Sequence, residues 1–232
     1  MLLWITAPIG VSFFLRVFSG EGWKSLGIRP GLRKNAAWYA VSILVYPACI
    51  TLVLSVGSLF DVVSLFGFSM NVFVVAVSLA LIPQIFQNIF EEFGFRGYLA
   101  PGLYSLGMNV FAAHVLVGLI WGLWHLPYLA AITPYTAEST ATLFPRFLAG
   151  AVAASIVYGE IRILTGSVWP AVFMQTAGGA VLGALLLQNL LAVDSGVEFL
   201  FLPVIESLSS IVLFTAVGIG IYMLRTKRTK ST

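Results

Sequence analysis

Runs of apolar residues, each close to the roughly 20 that a bilayer-crossing helix needs, recur along this chain with short polar breaks between them. They predict spans over residues 1–18, 36–58, 70–90, 108–131, 145–163, 168–191 and 199–224. The breaks carry residues that end helices. Gly27, Pro30 and Gly31 follow the first span, Pro101 and Gly102 the third, and Thr133 and Pro134 the fourth. Gly166 and Ser167 follow the fifth, and Asp194, Ser195 and Gly196 the sixth. No polar linker, internal repeat or low-complexity tract divides the sequence. The pattern therefore predicts an all-α fold, a polytopic transmembrane helical bundle of about seven spans, as a single domain over residues 1–232. No charged side chain precedes Arg16, so the first apolar stretch lacks a basic leader and reads as a span rather than a cleaved signal peptide.

Composition makes lipid the solvent. The 232 residues are 59% hydrophobic and 9% charged, where a soluble domain carries roughly 25% charged residues. The single cysteine, Cys49, excludes an intrachain disulfide. A net charge of +3, not patterned along any face, gives no reason to expect nucleic acid as a partner. The basic residues instead report orientation. Lys24, Arg29, Arg33 and Lys34 follow span one, Arg96 follows span three, Arg162 closes span five, and Arg225, Lys227, Arg228 and Lys230 form the tail. With seven spans all four places fall on one side, while Asp61, Glu138, Asp194 and Glu198 fall on the other with Arg146. By the positive-inside rule the basic side, and with it the C-terminus, is cytoplasmic. The short loops fit a multi-pass protein of a prokaryotic cell membrane.

Charged groups at or within a span face protein or a wet cavity, which singles out the end of span three. On a helix Gln84, Gln87, Asn88, Glu91 and Phe95 share one face, with Glu92 and Arg96 offset from it. Glu92 and Arg96 stand at i,i+4 and can pair. Glu91 then continues a polar stripe into the bundle while Glu92 is held by a cation. Unlike surroundings push the pKa values of two carboxylates apart, and the buried, unpaired one is the candidate general base. A salt-bridged cluster closing a helix end accounts for the same residues equally well.

His114 and His125 lie 11 residues apart in span four, nearly on one face but about 16 Å apart along the axis, so they cannot hold one ion together. His114 reads as a helix–helix hydrogen-bonding residue. His125 follows Trp121 by one turn, yet the span boundaries place it far from the membrane side assigned to Glu91. Glu160 reads as interfacial beside Arg162. Glu206, near Ser207, Ser209 and Ser210, reads either as a buried hydrogen-bonded acid or as the lining of an aqueous cavity.

Three ordered pieces resemble a known family. Glu91-Glu92-Phe-Gly-Phe-Arg96-Gly97, then Trp121 four residues before His125-Leu-Pro, then Thr165-Gly-Ser-Val-Trp169-Pro170 are similar to the motifs of the CAAX prenyl endopeptidase and bacteriocin-processing (CPBP, or Abi) intramembrane proteases. The resemblance covers about residues 85–180. It implies a glutamate-dependent peptidase without a cofactor, acting on a peptide or membrane-protein substrate. The residue matching Glu91, aided by that matching His125, would activate water, and Glu92 and Arg96, with Trp121 and Asn88, would hold the shape of the site. Relatives often carry another helix at the N-terminal end.

The third motif departs from that pattern. Where the family has a His and, four residues on, an Asn thought to stabilise the oxyanion, this chain has Gln175 and Gly179. Gln175 still offers amide donors and is the candidate oxyanion residue, whereas Gly179 offers none, and Gly179 and Gly183 stand at the spacing of a helix-packing motif. A catalytic zinc takes three protein ligands, and no third accompanies Glu91 and His125, so no metal is expected. Two alternatives to a peptidase stay open: a weak or inactive relative that binds a membrane peptide or partner, and a small transporter using Glu91, Glu92 and Glu206. The transporter reading lacks the inverted repeat it would require. The sequence leaves the oligomeric state open.

Overall fold

The apolar runs become long helices packed side by side. The computed structural model of the protein describes residues 2–19, 23–65, 67–132 and 138–230. Its elements are α1 (Leu2–Ser19), α2 (Leu32–Leu59), β1 (Val63–Ser64), α3 (Met70–Glu92), a π-helical segment (Phe93–Leu99), α4 (Ala100–Ser105), α5 (Val110–Trp124), α6 (Leu126–Ile132), α7 (Thr140–Thr165), α8 (Trp169–Leu187), β2 (Ala192–Val193), α9 (Glu198–Phe201) and α10 (Leu208–Lys230). The two short strands pair antiparallel, Val63 opposite Val193, and join the loops after α2 and α8. The bundle is all-α apart from this ladder.

Five helical stretches are long and apolar enough to cross a bilayer: Leu32–Leu59, Met70–Ser105, Thr140–Thr165, Trp169–Leu187 and Leu208–Lys227. Two shorter apolar helices, Leu3–Phe18 and Val110–Trp124, stand where the first and fourth spans are expected. The fourth is short because the helix breaks at His125, after which α6 begins. The break expected at Thr133 and Pro134 lies outside the described residues.

Span three is the larger correction. It does not end at the charge cluster: the helix continues through the π segment to Ser105, and the chain turns only at Leu106–Asn109, where Gly107 has φ 81°. Pro101 sits just past the junction of the π segment with α4 and does not end the helix. Charges mark a span end only when they must reach water; Glu91, Glu92 and Arg96 are all fully buried. They therefore lie well inside a 36-residue apolar helix.

Helix α7 is the hub. Ala151, Ala153, Ala154, Val157, Tyr158 and Ile161 are buried along it, and it packs on α5 and α10 while α8 packs on α2 and α3. Small residues set the spacing: a Cβ on Gly118 of α5 would stand 2.6 Å from the Val152 backbone of α7, so only glycine permits that approach. The outer faces are apolar, with Phe13, Phe14, Val74, Val75, Leu79 and Ile82 all exposed. An exposed apolar surface of that kind is what lipid requires and water penalises.

The Thr165–Pro170 stretch is the hinge of the α7–α8 hairpin. Thr165 Oγ donates to the Ile161 carbonyl at 2.8 Å and accepts from the Ser167 N–H at 3.2 Å. Gly166 takes the left-handed conformation that closes α7 (φ 67°), and Pro170 opens α8 in its first turn. Trp169 Nε1 donates to the Ile28 carbonyl at 2.7 Å and Asn35 Nδ2 to the Thr165 carbonyl at 3.0 Å, tying the hairpin to the segment before α2 and to the first turn of α2. This motif therefore builds the turn that aims α8, and Gln175 with it, at α3.

Candidate active site

Asn88, Glu91 and Glu92 are buried near the C-terminal end of α3, and each has a different partner. Asn88 Nδ2 donates to Thr176 Oγ at 3.1 Å and so fixes α3 against α8. Glu91 accepts from Gln87 Nε2 at 3.1 Å, from Trp121 Nε1 at 3.2 Å and from Gln175 Nε2 at 2.8 Å. Its donors are three neutral groups from three helices, α3, α5 and α8. Glu92 takes a guanidinium instead: Arg96 Nη1 donates to it at 2.7 Å. That guanidinium lies 4.6 Å from the Tyr158 ring centroid and 5.1 Å from that of Trp121, a packing that suits a planar cation. The i,i+4 pair expected from spacing is present. Phe95 departs from the expected stripe, because the π segment changes the helical phase after Glu92; it packs on Trp124 instead.

His125 occupies the break between α5 and α6. Its Nδ1 lies 2.9 Å from the Trp121 carbonyl oxygen, which can only accept, so Nδ1 carries the proton and Nε2 keeps its lone pair. Trp4, Trp121, Trp124 and Phe147 surround the ring. Trp121 thus links both candidate residues, its indole on Glu91 and its carbonyl on His125. The conflict in depth between the two disappears once Glu91 is seen to lie inside its helix rather than at the end.

Glu91, His125 and Gln175 line one cavity of about 460 Å³, together with Gln84, Gln87, Asn88, Trp121 and Glu206. The sequence offered Glu206 as the lining of an aqueous cavity and joined it to Glu91 only in the transporter alternative; the structure places it in this cavity wall. It stands before α10, where burial pushes its carboxyl above the ordinary carboxylate range, Glu138 adding to the rise and Arg146 opposing it. Trp4 and Tyr46 also line the cavity; no motif marks them, and only the packing of α1 and α2 brings them there. Buried oxygens of Gln175 (Oε1) and Asn88 (Oδ1) lack protein partners, so the cavity wall keeps acceptor capacity for a guest.

Two further residues find places away from the cavity. His114 donates or accepts at Glu160 Oε1 (3.1 Å) and at Tyr104 Oη (3.3 Å), the helix-bridging role expected for it. Glu160, near the C-terminal end of α7, is fully buried and receives Arg225 through Nε at 2.5 Å and Nη2 at 3.1 Å. Gly179 and Gly183 do not form a packing stripe, because nothing lies within 4 Å of a Cβ placed at Gly183. Among the described residues no group of three or more His, Cys, Asp or Glu could hold a metal ion.

Residues 72–181 match the family described as type II CAAX prenyl endopeptidase Rce1-like. Over this stretch, just under half of the 232 residues, the chain is similar to the Rce1-like family. The matched Rce1-like stretch begins in α3 and ends in α8, so it contains Glu91, His125 and Gln175. Comparison with curated proteins returned no match. With five helices long and apolar enough to cross a bilayer, the chain is an integral membrane protein whose central stretch resembles a CAAX-type protease.

Proposed function

We propose that this protein is an intramembrane endopeptidase in which Glu91 is the general base. The observation that carries this reading is the buried Glu91 carboxylate, held by three neutral donors in the wall of a cavity that His125 also lines. An ionised carboxylate has about four acceptor positions; Gln87, Trp121 and Gln175 take three and leave one for water. That water gives a proton to Glu91 as its oxygen attacks the peptide carbonyl carbon, and the displaced electron pair moves onto the carbonyl oxygen. His125 Nε2 accepts the second hydrogen bond of the same water. A general base of this kind contributes roughly 10²–10⁴ in rate.

The Gln175 amide has two N–H groups, and Glu91 uses one. The other is free for the developing oxyanion, a role worth roughly 10²–10³. On collapse the carbon–nitrogen bond breaks and the departing nitrogen takes the proton held by Glu91. Arg96, bound to Glu92, supports the wall by stacking on Trp121. The substrate class is a peptide segment at or within the bilayer, and we place the C-terminus on the cytoplasmic side from the distribution of basic residues. The test compares peptides released in membranes containing wild-type or Glu91→Ala protein, and His125→Ala beside it. Loss of cleavage in both, unchanged by chelators, is expected; full cleavage by Glu91→Ala protein overturns the mechanism.

A second reading, a relative that binds peptides without cutting them, is favoured by Gln175 and Gly179 at the positions of the family's His and Asn. Glu91 also presents no surface to solvent in this conformation. Saturable peptide binding with no cleavage by the wild-type protein would support it.

A further inference from the structure

Gly179 is a notch, and a side chain from another helix fills it. A Cβ built on Gly179 would stand 2.5 Å from Gln84 Oε1 and 2.8 Å from Gln84 Cδ, closer than real Cβ contacts come. Alanine there would already displace the Gln84 amide. Glycine at 179 is therefore what admits this carboxamide into the space beside α8. Helices α3 and α8 pack directly, and the pairs Asn88–Thr176 and Gln84–Gly179 show that they run antiparallel. The Gln84 amide so comes to lie about one turn further along α8 than Gln175, in the wall of the same cavity.

Among the described residues the Gln84 carboxamide has no hydrogen-bond partner. Gln87, Asn88 and Gln175, the other carboxamides lining the cavity, each donate to a protein oxygen. A partly buried amide without a protein partner needs water or a guest to satisfy it. One turn of helix, about 5.4 Å, is close to the distance between alternate residues of an extended peptide, about 6.6 Å. A carboxamide offers both a donor and an acceptor, matching the C=O and N–H of a peptide backbone.

We infer that Gln84 is a substrate-contacting residue, its carboxamide seated in the Gly179 notch to hold the backbone of an extended peptide beside the bond that Glu91 and Gln175 address. This deepens the peptidase reading and rests on it for the position of the scissile bond. The notch and the amide are complementary: α3 supplies a polar group where α8 has none.

The reciprocal exchange tests it. The probe is a fluorescent apolar peptide aldehyde, whose hydrate copies the tetrahedral intermediate, with affinity read by anisotropy in detergent. Gln84→Ala is expected to weaken binding at least tenfold without lowering the melting temperature. In that background Gly179→Asn returns an amide to the vacated space and restores most of the affinity, while Gly179→Leu, with the same branching at Cγ but no amide, does not. Gly179→Asn alone, with two side chains contending for one space, binds poorly. Wild-type affinity in Gln84→Ala, equal rescue by asparagine and leucine, or no saturable binding by the wild-type protein each overturns the inference. Cleavage by Glu91→Gln protein would instead remove Glu91 as the base, and no cleavage by the wild-type protein would remove the peptidase reading; either leaves this binding result standing.

Discussion

Gln175 donates its amide to the Glu91 carboxylate at 2.8 Å, so the residue that departs from the family pattern is a direct partner of the proposed base. The bond does two things. It ties Glu91 to α8, and in the proposed mechanism it leaves the second N–H of the amide for the oxyanion. Gln175→Leu keeps the volume and removes both donors. Its turnover on a membrane peptide is expected to fall by roughly 10²–10³, with a smaller change in KM, because the lost interaction is strongest in the transition state. An equal fall in affinity with turnover preserved would assign Gln175 to ground-state binding instead.

Arg96 and Glu92 are both fully buried and 2.7 Å apart. Removing one partner of such a pair strands a charge and destabilises by about 3–5 kcal/mol. Arg96→Leu is therefore expected to lower the unfolding temperature in detergent sharply. Arg96→Leu combined with Glu92→Leu should recover much of that loss. Arg96→Lys should not match the wild type, since an ammonium cannot stack flat over Tyr158. The measurement is thermal unfolding of the purified variants. A double variant no better than the single one would show that the guanidinium stabilises chiefly through its aromatic contacts.

Most of the helices were legible in the sequence because lipid demands long apolar runs, and the ion pair Glu92–Arg96 was legible because it is local. What the sequence misread were features set by partners far along the chain. It closed span three at Glu91 because it could not see that Tyr158 and Trp121 shelter Arg96 there. It missed the break at His125, whose flanking residues are as apolar as any span. Glu160 was read beside its neighbour Arg162, while its cationic partner, Arg225, lies 65 residues on. The cavity unites α1, α2, α3, α5, α6, α7, α8 and the segment before α10, and no periodicity encodes that meeting.

The Arg225–Glu160–His114 chain ties α10 to α7 and α5. Hydrogen bonds to charged groups contribute about 1.5–3 kcal/mol, so Arg225→Ala should loosen α10 rather than disturb the cavity, none of whose lining residues belongs to this chain. Faster proteolysis near the C-terminus, with peptide cleavage little changed, is the expected result. A loss of cleavage as large as that of Glu91→Ala would connect this cluster to the reaction.

Glu206 gives the protein a stability that depends on pH. Burial raises its carboxyl above the ordinary value of 4.5, so the folded state holds the proton more tightly than the unfolded one. Below 4.5 the group is neutral in both states and exerts no effect. As pH rises from there, the unfolded chain releases its proton first, and stability falls until the folded carboxyl has also ionised. Above that point the loss is complete and constant. Glu206→Gln removes the titration. Its unfolding temperature should match that of the wild type below about pH 4 and exceed it increasingly through the window before levelling off. A difference that is flat with pH, or one that shrinks as pH rises, would place Glu206 in a solvated or cation-paired setting and remove it from the wall of the cavity.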